Sequence, residues 1–389
     1  MSLKIVVAVI LSVEYVYGKA SIPEDGRLDF KGLATKYGLK CEEHEVVTED
    51  GYILTMFQVP GDKTRPVLLL HGIIDTGDAY MIRGNASLVV ALVKNGYDVW
   101  IGNVRGTEYS RRHKQFNPDI HMEYWNFSFH EIGLWDVSAK IDYILNKTGQ
   151  TQISCIGHSQ GTSAFFVLNS IRPEYNEKIK LLVALAPIAF LHYLTASPVK
   201  EAIMAWPYIY KLLKTYRKEE ILGKNTLERY IFEIVCSHEN AYKWCVKGLL
   251  MSVNGYDLQE LEPEFWYSLV GHYPAGTSIK CFSHYQQIWT KKKFCQFDYN
   301  KDMNLAIYNS SVPPEYDLSK VTTRVALVTG ANDLMAPLKG VKRLKRHLPN
   351  LVEFIVLNRE TANHIDFLWG KHTNKYLFPH ITNLLQKYT

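Results

Sequence analysis

A serine bracketed by glycines stands at Gly157-His158-Ser159-Gln160-Gly161. An apolar run, Ile153-Ser154-Cys155-Ile156, precedes it, and a helix-like run from Thr162 to Leu168 follows. That order predicts strand, sharp turn and helix, with the serine at the apex. Such a turn strains the serine backbone and lifts its hydroxyl above a sheet. Gly157 and Gly161 leave room where strand and helix crowd together. The chemistry open to a serine raised in this way is nucleophilic attack on a carbonyl carbon.

A serine hydroxyl is a weak nucleophile near neutral pH. It needs a base to take its proton and a carboxylate to orient that base. Arg324 to Thr329 reads as a buried strand that runs into the turn cluster Gly330-Ala331-Asn332-Asp333. Open α/β sheets place active sites at the C-terminal ends of their strands, so Asp333 is the expected acid. A further strand, Val352 to Leu357, leads to a polar loop ending at Asn363-His364-Ile365-Asp366. His364 is the expected general base. Asp366 is the second candidate for the acid, but no strand end lies beside it. The oxyanion of a tetrahedral intermediate needs backbone N–H donors. Gln160 follows the nucleophile, and Ile73 lies in the loop after the strand-like run Pro66 to Leu70; these two are assigned to the oxyanion hole.

These pieces, with several others, resemble the acid lipase family of α/β-hydrolases. The strings that carry the resemblance are Glu42 to Tyr52, His71-Gly72-Ile73-Ile74-Asp75, Gly102-Asn103-Val104-Arg105-Gly106 with Tyr109-Ser110, and Phe127 to Glu131. The serine turn, Pro274 to Ser278 and Asn363 to Phe367 complete the set. The resemblance spans the chain from about residue 30 to 385 and implies the same triad, Ser159, Asp333 and His364, with Ile73 and Gln160 as oxyanion donors. It also implies one disulfide, Cys236 with Cys245, in the lid region. Closing so short a loop stabilises by about 2–3 kcal/mol in the chain-entropy model.

The elements that must position these groups are legible as apolar runs. Strands are expected at 45–48, 53–59, 67–71, 98–101, 153–156, 181–185, 324–329 and 352–357. Helices are expected near 80–95, 133–147, 160–171, 337–348 and 371–387. Alternating strands and helices predict a mostly parallel, eight-stranded sheet covered by helices on both faces, an α/β class. Together with the resemblance this is the α/β-hydrolase fold, with core parts at 21–188 and 313–389. Between 189 and 312 the alternation stops. That stretch is too long for a connection, so it is expected to fold on its own as a mainly helical cap. A lid is expected within about 210–250, including Leu212, Leu213, Ile221, Leu222, Ile231, Phe232, Leu249, Leu250 and Met251.

Residues 1–20 read as a signal peptide: Lys4, a short apolar core from Ile5 to Val13, and small residues at Gly18 and Ala20. The apolar core is too short to span a bilayer, so no stable membrane insertion is expected. The protein is expected to be secreted or lysosomal. Sequons at Asn85, Asn126, Asn146 and Asn309 fit that route; Asn126, among aromatics, is expected to be buried. Cys155 reads as a buried thiol, and a second bridge between Cys281 and Cys295 is open. A net charge of +5 without a nucleic-acid motif argues against nucleic acid as partner. No cofactor and no metal site are expected, and the oligomeric state is left open.

The function expected is hydrolysis of carboxylic esters of neutral lipids, triacylglycerol or sterol ester, through an acyl-enzyme. A carboxylesterase for small soluble esters and a catalytically inactive lipid-binding protein are the alternatives. An epoxide hydrolase or a haloalkane dehalogenase would carry Asp in place of Ser159.

Overall fold

The computed structural model describes residues 22–238 and 241–389, so the expected signal peptide lies outside the described residues. The strands in chain order are β1 Glu42–Val47, β2 Tyr52–Val59, β3 Asp62–Leu70, β4 Tyr97–Gly102, β5 Arg112–His113, β6 Ile153–His158, β7 Ile179–Leu185, β8 Glu220–Ile221, β9 Thr277–Ser278, β10 Val325–Thr329 and β11 Leu351–Val356. One sheet runs β1-β2-β4-β3-β6-β7-β10-β11, and the short β5 pairs with β2. The eight strands on this path are those expected, and β5 adds a ninth. From β4 to β11 all neighbours are parallel. β1 and β2 join antiparallel at one edge.

Apolar residues alternate across this sheet between two cores. Val67 and Leu69 of β3 enter one, Leu68 and Leu70 the other, as the two-residue period of a strand requires. The helices Leu88–Lys94 and Phe378–Tyr388 cover the first face; Ser138–Thr148, Gln160–Ile171 and Leu338–Lys345 cover the second. β11 is only half-buried along its length, which fits its place at the sheet edge.

Two expected helices are broken. Near 80–95 the chain makes 3-10 turns at Gly77–Tyr80 and Gly84–Ala86 before the helix Leu88–Lys94. Gly84 sits at φ 55, which no α-helix accommodates, and the Ser87 hydroxyl caps the helix by accepting the Val90 N–H. Near 371–387 the helices Asp366–Trp369, Thr373–Tyr376 and Phe378–Tyr388 replace one continuous helix. Gly370 is extended, with ψ 133, and Pro379 opens the last helix, where its missing N–H costs nothing. The helix expected at 133–147 begins as a π-wound turn, Ile132–Val137.

Between β7 and β10 lie the helices Ser197–Thr215, Leu227–Cys236, Tyr242–Leu250, Met251–Asn254, Pro263–Val270, Ile279–Lys291 and Lys301–Tyr308, and the antiparallel pair β8–β9. This insertion does not close a core of its own. Val246, Met251, Phe265 and Trp266 belong to the same apolar cluster as Val67 and Leu69 of the sheet. Its helices are amphipathic, and the sheet layer supplies the surface against which they bury their apolar sides.

Candidate active site

β6 delivers the chain to Ser159, and the helix Gln160–Ile171 carries it away. Ser159 sits at φ 50, ψ −116, a conformation costly for a side-chain-bearing residue. Its backbone is pinned on both sides. The N–H donates to the Leu185 carbonyl at 3.0 Å, and the carbonyl accepts the Thr162 hydroxyl at 2.6 Å. The flanking glycines are required by close approach: a Cβ on Gly161 would lie 2.3 Å from the Leu70 carbonyl oxygen, and one on Gly157 would lie 2.9 Å from the Gly161 carbonyl carbon.

The three side chains separated in sequence meet above the C-terminal ends of the strands. His364 Nε2 lies 2.8 Å from Ser159 Oγ, and Nδ1 lies 2.9 and 3.1 Å from the two Asp333 oxygens. With Nδ1–H donating to the carboxylate, Nε2 is left as the acceptor for the serine hydroxyl. Asp333 Oδ1 also takes the N–H groups of Met335 at 2.9 Å and Ala336 at 2.6 Å, which fixes the carboxylate plane. Asp366 is not part of this chain of contacts. Its Oδ2 accepts the Asn363 N–H at 2.9 Å, and burial pushes its carboxyl well above the usual range.

His158, inside the turn itself, is a residue that sequence reasoning passed over. Its Nε2 donates to the His364 carbonyl at 2.9 Å, so it holds the backbone of the base. Burial lowers its pKa to about 3, which keeps it neutral. His71 plays a similar part below the next loop: Nδ1 donates to the Gly72 carbonyl at 2.8 Å and Nε2 accepts the Val104 N–H at 3.2 Å. Its pKa is lowered to about 4, again by burial.

The loop after β3 crosses directly over the nucleophile. A Cβ on Gly72 would lie 3.3 Å from Ser159 Cβ. Ile73, half-buried, follows on the cavity side. Ile74 takes a positive φ of 53, and its carbonyl accepts the Ala275 N–H at 2.7 Å, tying the loop to the insertion. Gln160 heads its helix, where backbone N–H groups lack intrahelical acceptors and the helix dipole is positive. The helix start at Gln160 thus follows directly on Ser159, and the Gly72–Ile73 loop passes over it.

Above Ser159 and His364 opens a cavity of about 520 Å³. Its wall is mostly apolar and mostly supplied by the insertion, with Leu191, Val199, Ile203, Trp206 and Phe232 prominent. Of the residues expected in a lid, Leu222, Phe232, Leu249 and Leu250 line this cavity, and Leu212 and Ile231 are exposed. Met251 is a correction. It is buried in the core, where its sulfur accepts the Asp257 N–H, because its helix turns that side onto the sheet layer.

Cys236 and Cys245 are bonded to one another. Cys281 and Cys295 are free and buried, so the second bridge left open above does not form. The Cys281 thiol faces the Phe127 carbonyl, whereas the Cys295 carbonyl accepts from His284, one helical turn beyond Cys281. Asn85, Asn126, Asn146 and Asn309 are all exposed. Asn126 departs from its expected burial because its aromatic neighbours Trp125 and Phe127 turn inward while its own Oδ1 accepts from Lys280 at 3.1 Å. Among the described residues no cluster of His, Cys, Asp or Glu could hold a metal ion, and no helix is long and apolar enough to cross a membrane.

Over residues 65–371 the chain matches the family described as alpha/beta hydrolase fold, and over residues 30–84 the partial alpha/beta-hydrolase lipase region. It is 35% identical over 373 residues to the gastric triacylglycerol lipase of Rattus norvegicus, covering 93% of this chain and 92% of that protein. Lipase 1 of Drosophila melanogaster is 34% identical over 371 residues, covering 95% of this chain and 82% of the relative. Lipase member K of Homo sapiens is 31% identical over 382 residues, with 95% and 94% covered. Among solved structures, an epoxide hydrolase of Vigna radiata superposes with a TM-score of 0.54 at 16% identity, covering 90% of this chain and 98% of that one. An esterase of Pyrococcus furiosus gives 0.51 at 13%, with 93% and 98% covered. At such identities the two share the fold alone.

Proposed function

The chain belongs to the acid lipase family of α/β-hydrolases, and from that premise we propose that this lipase cleaves neutral-lipid esters at Ser159. In this reading His364 Nε2 takes the proton from Ser159 Oγ as the oxygen attacks the ester carbonyl. The charge that develops on the carbonyl oxygen is met by the Ile73 and Gln160 N–H groups. His364 then protonates the leaving alcohol, and Asp333 holds the imidazole in the required tautomer and stabilises its charged form. Water, deprotonated by the same imidazole, releases the fatty acid from the acyl-enzyme.

The observation that carries this reading is the unbroken hydrogen-bond path from Ser159 Oγ through His364 to Asp333 at the floor of an apolar cavity. Each methylene that such a cavity removes from water contributes about 0.8 kcal/mol, so the wall favours long acyl chains over small soluble esters. Triacylglycerol is the substrate named for the rat relative, and triacylglycerol or sterol ester suits a cavity of this kind. An organophosphonate should label Ser159 and abolish hydrolysis. Labelling elsewhere, with activity retained, would contradict the assignment.

The insertion also bears exposed Met204, Tyr208, Leu212, Tyr230, Ile231, Trp244 and Leu249. Large apolar side chains facing outward mark an interaction site where they form a patch, and we assign these to the lipid–water interface. Secretion or lysosomal delivery accords with the disulfide, which persists in oxidising compartments, and with the exposed sequons. A mobility shift on glycosidase treatment of the protein from secreting cells tests that route.

A further inference from the structure

The insertion reaches both catalytic loops through one short segment, Asn254 to Asp257. Asp333 stands on the loop after β10 and His364 on the loop after β11. The two loops touch just before these residues, where the Asn332 N–H donates to the Ala362 carbonyl at 3.0 Å. Beyond that point the insertion intervenes. The Asn254 carbonyl accepts the N–H of Leu334, next to the acid, at 3.3 Å, and the N–H of His364 itself at 3.2 Å. A carbonyl oxygen has two lone pairs, so one atom can bridge the acid loop and the base. The Gly255 carbonyl takes an Asn363 Nδ2–H at 2.9 Å, and the Tyr256 carbonyl takes an Asn332 Nδ2–H at 3.2 Å. Asp257 is 3% exposed; its Oδ2 accepts from Arg359 Nε at 2.9 Å, Arg359 Nη2 at 2.6 Å and the Thr361 hydroxyl at 2.6 Å.

We infer that Asn254 to Asp257 is a clasp that sets the alignment of His364 with Asp333, with Gly255 and Asp257 as positioning residues outside the triad. The seat at Gly255 is tight. Gly255 holds φ 116, ψ 146, a conformation that only glycine adopts readily. A Cβ there would lie 2.1 Å from the Asn332 carbonyl oxygen and 2.8 Å from Asn363 Cβ. Any side chain at 255 therefore pushes the segment off the loops that carry acid and base. Catalysis is steep in such geometry, a misplacement of about 1 Å costing about 10²-fold. The insertion is then more than the wall of the cavity, because its seating fixes the pairing that the reaction uses. The clasp rests on the reading of Ser159, His364 and Asp333 as the working triad.

The test uses the full-length protein, a soluble 4-nitrophenyl ester and two substitutions, Gly255→Ala and the milder Asp257→Ala, which decides alone if the first does not fold. Rates are taken per folded molecule, with the folded fraction read from near-UV circular dichroism. Gly255→Ala should lower kcat by about 100-fold and Asp257→Ala by about tenfold. KM should stay within about twofold of the parent, since neither residue lines the cavity. Added to Asp333→Asn, either substitution should cost less than about twofold further, because the pairing it aligns is already lost. A second readout needs no substrate. The low-field proton resonance of the His364 Nδ1–H bonded to Asp333 should shift or broaden in both variants. Losses that multiply with that of Asp333→Asn, a KM that rises while kcat holds, or an unaltered proton resonance would overturn the clasp. A parent that hydrolyses no ester, yet whose resonance is altered by both substitutions, would instead overturn the proposed function.

Discussion

The catalytic end of the sheet and the helical insertion above it are built on opposite terms. At the sheet, every reactive group is buried and held by backbone hydrogen bonds: Ser159 through Leu185 and Thr162, Asp333 through Met335 and Ala336, His364 through Asn254 and His158. In the insertion, large apolar side chains face outward, with Tyr208 80% and Trp244 77% exposed. A few ion pairs tie the two regions together, among them Arg83–Glu262, Arg111–Glu220 and Lys280–Glu131. Bond-making geometry has thus been given to strands and turns that are buried and tied by hydrogen bonds. Substrate access has been given to amphipathic helices whose outer faces find no partner among the described residues.

The largest consequence of this division falls on the chemistry. Ser159→Ala should lower kcat by about 10⁵-fold or more, and Asp333→Asn by about 10⁴-fold, since the amide cannot hold the imidazole tautomer. His364→Ala added to Ser159→Ala should cost almost nothing further, because the groups act as one unit. Steady-state kinetics on a soluble ester reads all three variants. Losses that multiplied independently would mean that the contacts seen at Ser159 are not the working ones.

Next comes backbone tolerance. Gly161→Ala would drive a methyl to 2.3 Å from the Leu70 carbonyl oxygen; a loss of about 3 kcal/mol or more in unfolding stability is expected. In the insertion, the nearest atom to a Cβ on Gly248 would be the Lys243 carbonyl oxygen at 3.6 Å. There Gly→Ala should be neutral or stabilise by up to about 1 kcal/mol, through reduced entropy of the unfolded chain. Urea titration of both variants checks the contrast. Similar losses at the two positions would erase the distinction between a crowded sheet and an accommodating insertion.

The same division explains which features could be read from sequence. The serine turn, Asp333 and His364 sit beside long apolar strands, and local pattern is enough to place a turn at a strand end. The fragmentation of 80–95 was less legible, because Gly84 at positive φ resembles any tolerated helix glycine until its dihedral is known. Met251 was misplaced because an amphipathic helix does not say which neighbour will cover it. Asp75, Tyr273 and Trp369 lie far apart in sequence and come together only in the wall of the cavity. Cys281 and Cys295 have a permissive spacing, and only the course of the helix between them shows that they do not pair.

At the outer face, Tyr208→Ser with Trp244→Ser should lower hydrolysis of an emulsified triacylglycerol by about tenfold, through weaker adsorption of apolar surface. Hydrolysis of a soluble short-chain ester should change by less than about twofold, since neither side chain lines the cavity. Equal losses on the two substrates would place these residues in the catalytic region after all and dissolve the contrast.

The smallest effect is a pH slope written into the rigid region. Asp75 has an ordinary pKa of 3.8 that burial raises to about 8 in the folded protein. Above pH 3.8 the folded state therefore binds a proton that the unfolded chain has released. Unfolding stability from this group is fully present below pH 3.8 and declines as pH rises toward 8. Asp366, raised by burial, acts with the same sign. So does His272, which faces Asp78 and is raised by that carboxylate against the opposing effect of burial. His71 and His158, lowered to about 4 and about 3 by burial, act with the opposite sign, losing stability as pH falls below their ordinary 6.5. The total profile mixes these terms, so the informative quantity is a difference. Asp75→Asn keeps the neutral shape and removes the titration. Its Tm should equal that of the parent near pH 4 and exceed it by a growing margin as pH rises toward 8. A difference that stays flat across that range would mean that Asp75 is solvated in the folded protein, and the catalytic end would then be less dry than its burial implies.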